Sequence, residues 1–445
     1  MTVRTGSQLG TMIRWGTRHG IPRAFLRRAV RQGDLQAQLI MLPSSRANPY
    51  PLYESIRERG RLVQGRAAML TVDHQLCSTI LRSDSFGVPF ALEQLPGIMQ
   101  RAVTWAADEL AIGPIDPPSL LALDPPDHTR YRRLVSKVFT ARAIDALRPR
   151  VEELADGLLD QLDGKHTADL VGRYAGLLPV TVIAEILGVP TDMREQFLRW
   201  GHQAAPSLDF GMSYRTFAHA EKAIRALNAW MHGHFDRLRT TPGEDILSRL
   251  VSLDLDGERL TDRELTATAN LLLAAGFETT VNLIGNGTVL LTRHPDQLEA
   301  LRQEPALWPN AVEEILRLDS PVQSTARRTV VDTELAGRRV PAKTIVVTLL
   351  GGANRDPGVF PDPDRFDVRR PNARDHLAFS AGVHYCLGAA LARLEGEIGL
   401  RRLFERFPHL RLVGEPSRRP TRTLRGYEVI PASLGTVRRE RLAAS

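Results

Sequence analysis

The spacing of apolar residues predicts a chain made mainly of helices. The most extended pattern runs from Asp262 to about Arg293 and predicts one long apolar helix with Thr261 as its N-cap. Other stretches of helical spacing cover residues 52–59, 75–83, 127–139, 143–163, 176–187 and 387–407, with a helix pair between 192 and 240 around a loop near 206–212 and further helices to about 318.

Alternating patterns and turn residues predict a smaller β region. A strand is expected at residues 68–72, and several short strands are expected between Thr329 and Thr348. The predicted fold class is therefore mainly α with a smaller β region (α+β). Residues 86–118 are apolar, are broken by Gly and Pro, and are expected to be irregular. Their large apolar side chains either face a ligand or belong to the core: Phe90, Leu92, Leu95, Met99 and Trp105.

The first 33 residues carry seven arginines and no acidic residue. Ile21, Phe25, Leu26 and Val30 fall between the arginines at loosely helical spacing. One interpretation is a basic amphipathic helix that makes weak contact with a membrane surface or binds an acidic partner. The other is a solvated extension packed lightly on the body of the protein. We assign residues 1–45 to this basic N-terminal extension.

Composition narrows the class of protein. Of the 445 residues, 43% are hydrophobic and 24% charged, as in an ordinary globular protein. The net charge of +7 is dispersed, so it does not indicate nucleic-acid binding. No apolar run approaches the roughly 18 residues needed to span a bilayer. The two distant cysteines do not resemble a disulfide framework, and they predict a reducing, cytoplasmic location.

Cys386 carries the strongest chemical signal. It lies between Gly382 and Gly388, just ahead of an Ala/Leu-rich helix, with His384 two residues upstream. The N–H groups at a helix start stabilise a thiolate, and glycines let a flat ligand approach the backbone. This combination indicates a haem held through sulfur. The alternative is a buried cysteine in a turn that contains glycine.

A second signal lies in the middle of the long helix, at residues 274–280. Gly276, Glu278, Thr279 and Thr280 together weaken one helical turn, because glycine costs helix stability and threonine hydroxyls compete for carbonyls one turn back. The weakened turn would leave space for a diatomic ligand. The alternative is a buried glutamate paired with an arginine, beside two structural threonines.

The run Phe379-Ser380-Ala381-Gly382-Val383-His384-Tyr385-Cys386-Leu387-Gly388 resembles the haem-binding loop of cytochrome P450 enzymes, usually Phe-Gly-x-Gly-x-His-x-Cys-x-Gly. The departure is Ser380, which stands where the family usually has its first glycine. Further family motifs occur in order, so the resemblance extends from about Pro49 to about Ser433. It implies a single catalytic domain over residues 46–445, with haem b between the long central helix and the helix that follows the cysteine.

The resemblance also implies roles for individual residues. Thr279 would hydrogen-bond dioxygen, Glu278 would pass protons inward, and Gly276 belongs to the same catalytic segment. The residues expected to bind the cofactor are Cys386 as iron ligand, His384, Arg327, His128 and Arg132 toward the propionates, and Phe379, Gly382, Gly388 and Ala275 around the ring. Arg328 adjoins Arg327, which leaves a one-residue uncertainty of register. A buried structural network is expected from Glu314, Arg317 and Arg365.

The resemblance implies a monooxygenase that inserts one atom of O2 into an apolar organic substrate. The chain has no nucleotide fingerprint and no iron–sulfur cysteine cluster, so electrons from NAD(P)H would arrive through a separate ferredoxin and ferredoxin reductase. Basic candidates for the ferredoxin surface are Arg133, Lys137 and Arg142. The alternatives are a peroxygenase, an enzyme that couples or rearranges carbon skeletons, and a non-catalytic haem-thiolate sensor or binding protein. The segments expected to line the substrate space are 86–118, 200–215, 270–280, 322–326 and a turn near Gly426.

Overall fold

The computed structural model describes residues 8–89, 97–137, 139–243, 245–254 and 257–435. Two π-helical segments lie at Gly16–Gly20 and Val171–Ala175. The α-helices are α1 Gln8–Trp15, α2 Ile21–Arg31, α3 Leu35–Met41, α4 Pro43–Ala47, α5 Tyr50–Glu58, α6 His74–Arg82, α7 Gly97–Trp105, α8 Asp127–Ser136, α9 Ala141–Asp145, α10 Arg148–Asp160, α11 Leu177–Ile186, α12 Arg194–Ala204, α13 Tyr214–Thr240, α14 Ile246–Ser252, α15 Asp262–Arg293, α16 Pro295–Gln303, α17 Trp308–Leu318, α18 Leu350–Ala353 and α19 Ala389–Arg406.

The strands are short and form one larger sheet with smaller pairings around it. The larger sheet has the strand order β1-β2-β8-β5-β3, in which β2 and β8 are parallel and the other neighbours antiparallel. The strands are β1 Val63–Gln64, β2 Met69–Thr71, β3 Phe86–Gly87, β4 Thr167–Asp169, β5 Thr325–Thr329, β6 Thr333–Leu335, β7 Arg338–Val340, β8 Ile345–Thr348, β9 Arg411–Leu412, β10 Ser417–Arg418, β11 Tyr427–Val429 and β12 Pro431–Ser433. The predicted class, mainly α with a smaller β region, is confirmed.

Helix α15 has the predicted boundaries, and it begins at Asp262 because two reciprocal hydrogen bonds cap its N-terminus. The Thr261 hydroxyl accepts a hydrogen bond from the Glu264 N–H, and the Glu264 carboxylate accepts one from the Thr261 N–H. The inner surface of the helix packs apolar side chains such as Leu273 and Ile284 into the main core, and it also buries polar ones such as Asn282. The helix is therefore the rigid element against which the site is built.

Glycines let α19 approach α15 closely. A Cβ on Gly396 would lie 2.8 Å from a methyl of Leu283, and one on Gly399 would lie 3.0 Å from a methyl of Ile284. On the α15 side, Gly287 meets Leu400 in the same way. Because Cys386 directly precedes α19, this close packing brings the cysteine loop toward the middle of α15.

Two sequence predictions require correction. The helix predicted over 143–163 is divided into α9 and α10, with Pro149 at the start of α10. Residues 86–118 are not irregular throughout, because residues 97–105 form α7. Within that segment, residues 90–96 and the Met99 side chain lie outside the described part, so the expectations for Phe90, Leu92, Leu95 and Met99 stay predictions.

The N-terminal extension is packed firmly on the body, so the interpretation as a lightly packed, solvated extension is wrong for residues 8–41. Arg14 is buried and forms an ion pair with buried Glu221 of α13 at 2.6 Å. Leu26 and Ala29 form a small apolar cluster with Ala37, against which Phe210 packs. No helix among the described residues is long and apolar enough to cross a membrane.

Candidate active site

The cysteine loop is a tight turn held by its own backbone. The Cys386 N–H donates to the Phe379 carbonyl at 2.9 Å. Gly382 has φ +67°, and a Cβ there would overlap the carbonyl oxygen of Leu81, so this position requires glycine. Ser380 also adopts a left-handed φ of +61°, and its buried hydroxyl has no hydrogen-bond partner. Ser380, the departure from the family motif, therefore adopts a backbone conformation that favours glycine.

Cys386 is exposed at the surface of the loop, yet its sulfur is surrounded by protein on most sides. Burial raises the pKa of the thiol, while the Gly388 N–H and the charges of Arg132 and Arg393 act in the opposite direction. Gly388 is the N-cap of α19, so the helix start contributes the N–H that faces the sulfur. Both cysteines are free, and Cys77 is buried elsewhere.

One face of α15 opens into the interior. Leu271, Ala275 and Thr279, spaced one turn apart, are partly exposed, as is Gly276, whereas Leu272, Leu273, Ala274 and Glu278 are buried. The Thr279 hydroxyl donates to the Ala275 carbonyl at 2.6 Å, and Thr280 donates to Gly276 at 2.9 Å. The helix is continuous here, so the expected weakening of one turn is not seen in its backbone.

Glu278 is fully buried and held by two residues that sequence reasoning missed. Its Oε2 lies 3.2 Å from His202 Nδ1, and its Oε1 lies 3.0 Å from an Arg419 guanidinium nitrogen. The same Arg419 nitrogen lies 3.2 Å from His202 Nδ1. The pairing of a buried glutamate with an arginine was the alternative interpretation. It does not exclude a role in proton transfer, because His202 is partly exposed and connects Glu278 to the outside.

The residues expected to face the propionates are brought together. The rings of His128 and His384 are 4.4 Å apart, and Arg132, one turn after His128, donates to the Tyr385 carbonyl at 2.6 Å. Arg327 is buried. Within the described part of the chain, its guanidinium donates hydrogen bonds only to Thr325 and Ala326 of its own strand. Arg328 points elsewhere and donates to the Val88 carbonyl. The register with Arg327 is thus the one that the geometry favours.

This cluster has the chemistry of an anion-binding site. Burial lowers the pKa of Arg327 to about 10, and burial together with the Arg327 charge lowers the pKa of His384 to about 3. Burial and Arg132 also lower the pKa of His128, whose Nε2 is buried without a hydrogen-bond partner. Among the described residues, no carboxylate forms an ion pair with Arg327. Asp124 is the nearby carboxylate that acts on Arg327 and His128, and it leaves the second positive charge, that of Arg132, without a match. Two histidines and two arginines beside one carboxylate favour a negatively charged ligand.

The structural network differs from the prediction in one member. Glu314 and Arg317 form a fully buried ion pair at 2.6 Å, as expected. The second arginine on Glu314 is Arg370, at 3.1 Å, so the prediction of Arg365 is wrong. The Arg365 side chain is exposed, and only its backbone carbonyl accepts hydrogen bonds, from Arg317 and Arg370.

A further network beneath the cysteine loop had no sequence signal. Glu313 accepts hydrogen bonds from Arg393 at 2.8 Å and contacts His376 at 3.0 Å. Arg393 lies over the Phe379 ring, 4.5 Å from its centroid, and bonds the Tyr385 hydroxyl. Phe379, predicted to contact the cofactor, is therefore itself supported by a buried ion network.

Two predicted lining segments meet at the far end of the site. The loop at 205–213 joins α12, which carries His202, to α13. A Cβ on Gly426 would overlap the side chain of Asn282 on α15, so the predicted turn passes directly against the long helix. Trp105, at the end of α7, is 44% exposed and so lies neither in the core nor fully enclosed.

Comparison with known proteins gives one consistent result. A sequence model of the family described as Cytochrome P450 matches residues 202–424. A protein of Mycobacterium tuberculosis named "Putative cytochrome P450 140" is 50% identical over 430 residues, which cover 96% of this chain and 98% of that one. A vitamin D(3) 25-hydroxylase of Pseudonocardia autotrophica is 42% identical over 341 residues, 75% of this chain and 82% of the relative. The crystal structure of Mycobacterium smegmatis CYP164A2 superposes with a TM-score of 0.80 at 39% identity, covering 90% of this chain and 99% of that structure.

Proposed function

The chain belongs to the cytochrome P450 family and is an oxygen-incorporating oxidoreductase whose family cofactor is haem, and from this premise we propose that it hydroxylates an apolar small molecule with electrons from a separate ferredoxin. The strongest support is the open face of α15, at Ala275 and Thr279, beside a buried acid that is connected to the surface through His202.

The residues around the cysteine loop fit a haem. The sulfur of Cys386 supplies an iron ligand, and Gly382 and Gly388 leave the backbone free of side chains beside it. Haem bound there supplies the one-electron and dioxygen chemistry that no side chain provides. Arg327 and Arg132 supply positive charge, and the His128–His384 pair supplies ring N–H groups, that we expect to bind its two carboxylates.

Glu278 and His202 are proposed to deliver protons. A single imidazole nitrogen carries either a hydrogen or a lone pair. His202 Nδ1 therefore cannot donate to Glu278 and accept from Arg419 at the same time. With its hydrogen, Nδ1 donates to Glu278 Oε2; after that hydrogen has passed to the carboxylate, Nδ1 accepts from Arg419. As Nδ1 releases its hydrogen, the other ring nitrogen takes up a proton from solvent, so the ring stays neutral, and rotation of the ring then returns an N–H to the side that faces Glu278.

Thr279 is proposed to act at the inner end of this route. Its hydroxyl donates to the Ala275 carbonyl at the open face of the helix. Rotation about one bond turns the hydroxyl toward the interior space, where it would hydrogen-bond dioxygen. Thr280, whose hydroxyl donates to Gly276, is buried and has no access to that space.

The proposed substrate class rests on the lining and on the relatives. Ala275 and Leu271 are the small and apolar groups on the open face of α15. A relative 42% identical to this chain is named for hydroxylation of vitamin D(3). Exposed Lys137 and Arg142 support docking of an acidic ferredoxin, whereas Arg133 forms an ion pair with Glu258.

The first test is the absorption spectrum of the reduced holoprotein under carbon monoxide, beside the Cys386→Ser variant. We expect a strongly red-shifted main haem band that the variant lacks. Folded protein that binds no haem, or a band that the variant retains, would overturn the assignment of Cys386 as ligand.

Glu278→Gln and Thr279→Val test the proton route, with Thr280→Val as the matched control. With a ferredoxin and its reductase, both test variants should oxidise NAD(P)H while forming at least tenfold less product, because electrons then leave without productive oxygen insertion. The control should retain coupling. Equal coupling in all four proteins would contradict the proposed roles, and full activity with hydrogen peroxide alone would identify a peroxygenase.

A further inference from the structure

Residues 8–31 form an unbroken helical run with two chemically different faces. Helices α1 and α2 are joined by the π-helical turn at 16–20, and the backbone stays helical through both junctions. The inner face is fixed to the body by buried Arg14, His19 and Leu26. The outer face is therefore held in one orientation rather than free to turn.

The outer face carries large apolar side chains exposed to solvent. Leu9 and Met12, three positions apart, are 56% and 54% exposed, and Ile21 and Phe25, four positions apart, are 62% and 47% exposed. Single exposed apolar residues are ordinary on a protein surface. Four on one helical run, each pair on one helix face, form a continuous apolar stripe of the kind that needs a partner.

The same surface is positively charged. Arg27, Arg28 and Arg31 are exposed, and the structure gives them no ion pair with a described residue. The sequence has no acidic residue before Asp34, so no carboxylate of this segment offsets them. An exposed helical face that combines apolar side chains with arginines matches an anionic phospholipid surface, which accepts both.

We propose that the outer face of residues 8–31 docks on an anionic phospholipid bilayer, with Leu9, Met12, Ile21 and Phe25 at the level of the headgroups. The helix lies along the surface, consistent with the finding that no described helix is long and apolar enough to cross a membrane. The exposed apolar side chains match the acyl boundary of such a bilayer, and the exposed arginines match its anionic headgroups.

The inner face of the same run holds the loop at 205–213. Arg23 donates to the Gly211 carbonyl at 2.6 Å, and the Trp15 indole donates to the Met212 carbonyl at 3.1 Å. The Gly211 N–H donates to His19 Nδ1 at 3.2 Å. Docking would thus hold this loop, which leads to His202 on α12, next to the bilayer. Uptake of an apolar substrate from the lipid through this loop would rest on the proposed function, whereas the docking itself does not.

Cosedimentation of the full-length holoprotein with vesicles tests the proposal. The vesicles contain either phosphatidylcholine alone or phosphatidylcholine mixed with phosphatidylglycerol. The test variants are I21E/F25E, which charges the apolar stripe, and R27E/R28E, which reverses the basic group. The matched controls are V330E/V331E, at apolar side chains 41% and 53% exposed elsewhere, and R59E/R66E, at exposed arginines outside the run.

We expect at least tenfold tighter binding to the vesicles that contain phosphatidylglycerol, at least a tenfold loss in both test variants, and no change in either control. Absence of vesicle binding overturns the proposal. Loss in R27E/R28E alone would mean electrostatic adsorption without apolar contact, and loss in the controls would mean binding by dispersed charge; either result also overturns it. The carbon monoxide spectrum of every variant is recorded beside the binding, so failure of the haem assignment is distinguished from failure of the docking.

Discussion

At the scale of single residues, Ser380 shows how a family turn tolerates a side chain. The left-handed φ of +61° disfavours any residue with a Cβ, by roughly 1–2 kcal/mol. The serine hydroxyl does not recover this cost, because it is buried and has no partner. Gly382 in the same loop has no such freedom, since a Cβ there would overlap backbone rather than a movable side chain.

We therefore expect Ser380→Gly to stabilise the holoprotein by about 1 kcal/mol, because glycine adopts this φ without strain. Thermal unfolding followed by loss of the haem absorption measures it. The matched control is Ser55→Gly inside α5, where the same change should destabilise by about 0.5 kcal/mol. Destabilisation by both substitutions would contradict the assigned strain.

At the scale of elements, the ion network of α17 joins that helix to the segment 361–370. Arg370 reaches Glu314 and also donates to the carbonyls of Pro361 and Asp362. Removing it would leave part of the charge of Glu314 buried and uncompensated, which typically costs about 3–5 kcal/mol. Arg365 is exposed, and its contribution is a backbone carbonyl that substitution leaves in place.

Arg370→Ala should accordingly lower the free energy of unfolding by about 3 kcal/mol and accelerate haem loss, whereas Arg365→Ala should change it by less than about 0.5 kcal/mol. Denaturant unfolding and the rate of haem transfer to an acceptor protein measure the two effects. The opposite ranking of these neighbouring arginines would restore the original sequence prediction.

Some features of the fold and the site could be predicted from the sequence, and others could not. Apolar spacing and caps predicted α15 with its boundaries, and a local motif led to Cys386 and the Glu278–Thr279 pair. The sequence prediction missed Arg370 because Arg365, Arg369 and Arg370 lie close together in the chain. Only the fold of the segment decides which of their side chains turns inward. His202 and Arg419 are far from Glu278 in sequence and carry no motif, so only the tertiary packing brings them to it.

The contact between α1–α2 and the loop at 205–213 should depend on pH. Burial, and next the charge of Arg18, lowers the pKa of His19 to about 4, below its ordinary value of 6.5. Because the folded pKa is the lower one, the stabilisation is complete above about pH 6.5 and is lost as the pH falls from there toward 4. The loss between pH 7 and 5 is on the order of 2 kcal/mol.

Intrinsic amide exchange slows as the pH falls from 7 to 5, and the amides of residues 8–31 should slow less steeply than this, because the contact opens more often once His19 is protonated. His19→Gln should remove this extra dependence, since Gln accepts the Gly211 hydrogen bond without titrating. His232→Gln, at an exposed histidine of α13, is the control. An unchanged pH profile in His19→Gln would assign the effect to another group.

At the scale of the whole molecule, the net charge of +7 favours encounters with acidic partners, and its distribution decides where they bind. Lys137 lies at the end of α8, the helix whose Arg132 bonds the cysteine loop. Lys165 is equally exposed but lies near the opposite end of α19, where Arg406 pairs with Asp163. Substituting each lysine in turn therefore tests the effect of position, because both substitutions change the net charge by the same amount.

Lys137→Glu should slow reduction by an acidic ferredoxin several-fold at low ionic strength, and the difference from the parent should shrink as salt is added. Lys165→Glu should behave as the parent. Stopped-flow reduction under carbon monoxide measures both rates. Equal slowing by the two substitutions would indicate that net charge, rather than a docking face, governs the encounter.

Two segments that lie far apart in the sequence both contact the loop at 205–213, and this has a consequence for biosynthesis. Arg422 donates to the carbonyls of Ile40 and Phe210 at 3.0 Å each, while Trp15 and Arg23 hold the same loop from the N-terminal side. A ribosome must therefore have exposed the chain as far as Arg422 before all of these contacts can form. The loop at 205–213 therefore gains its last contacts late. Until Arg422 has been made, a nascent chain carries this loop without the contacts that Arg422 provides.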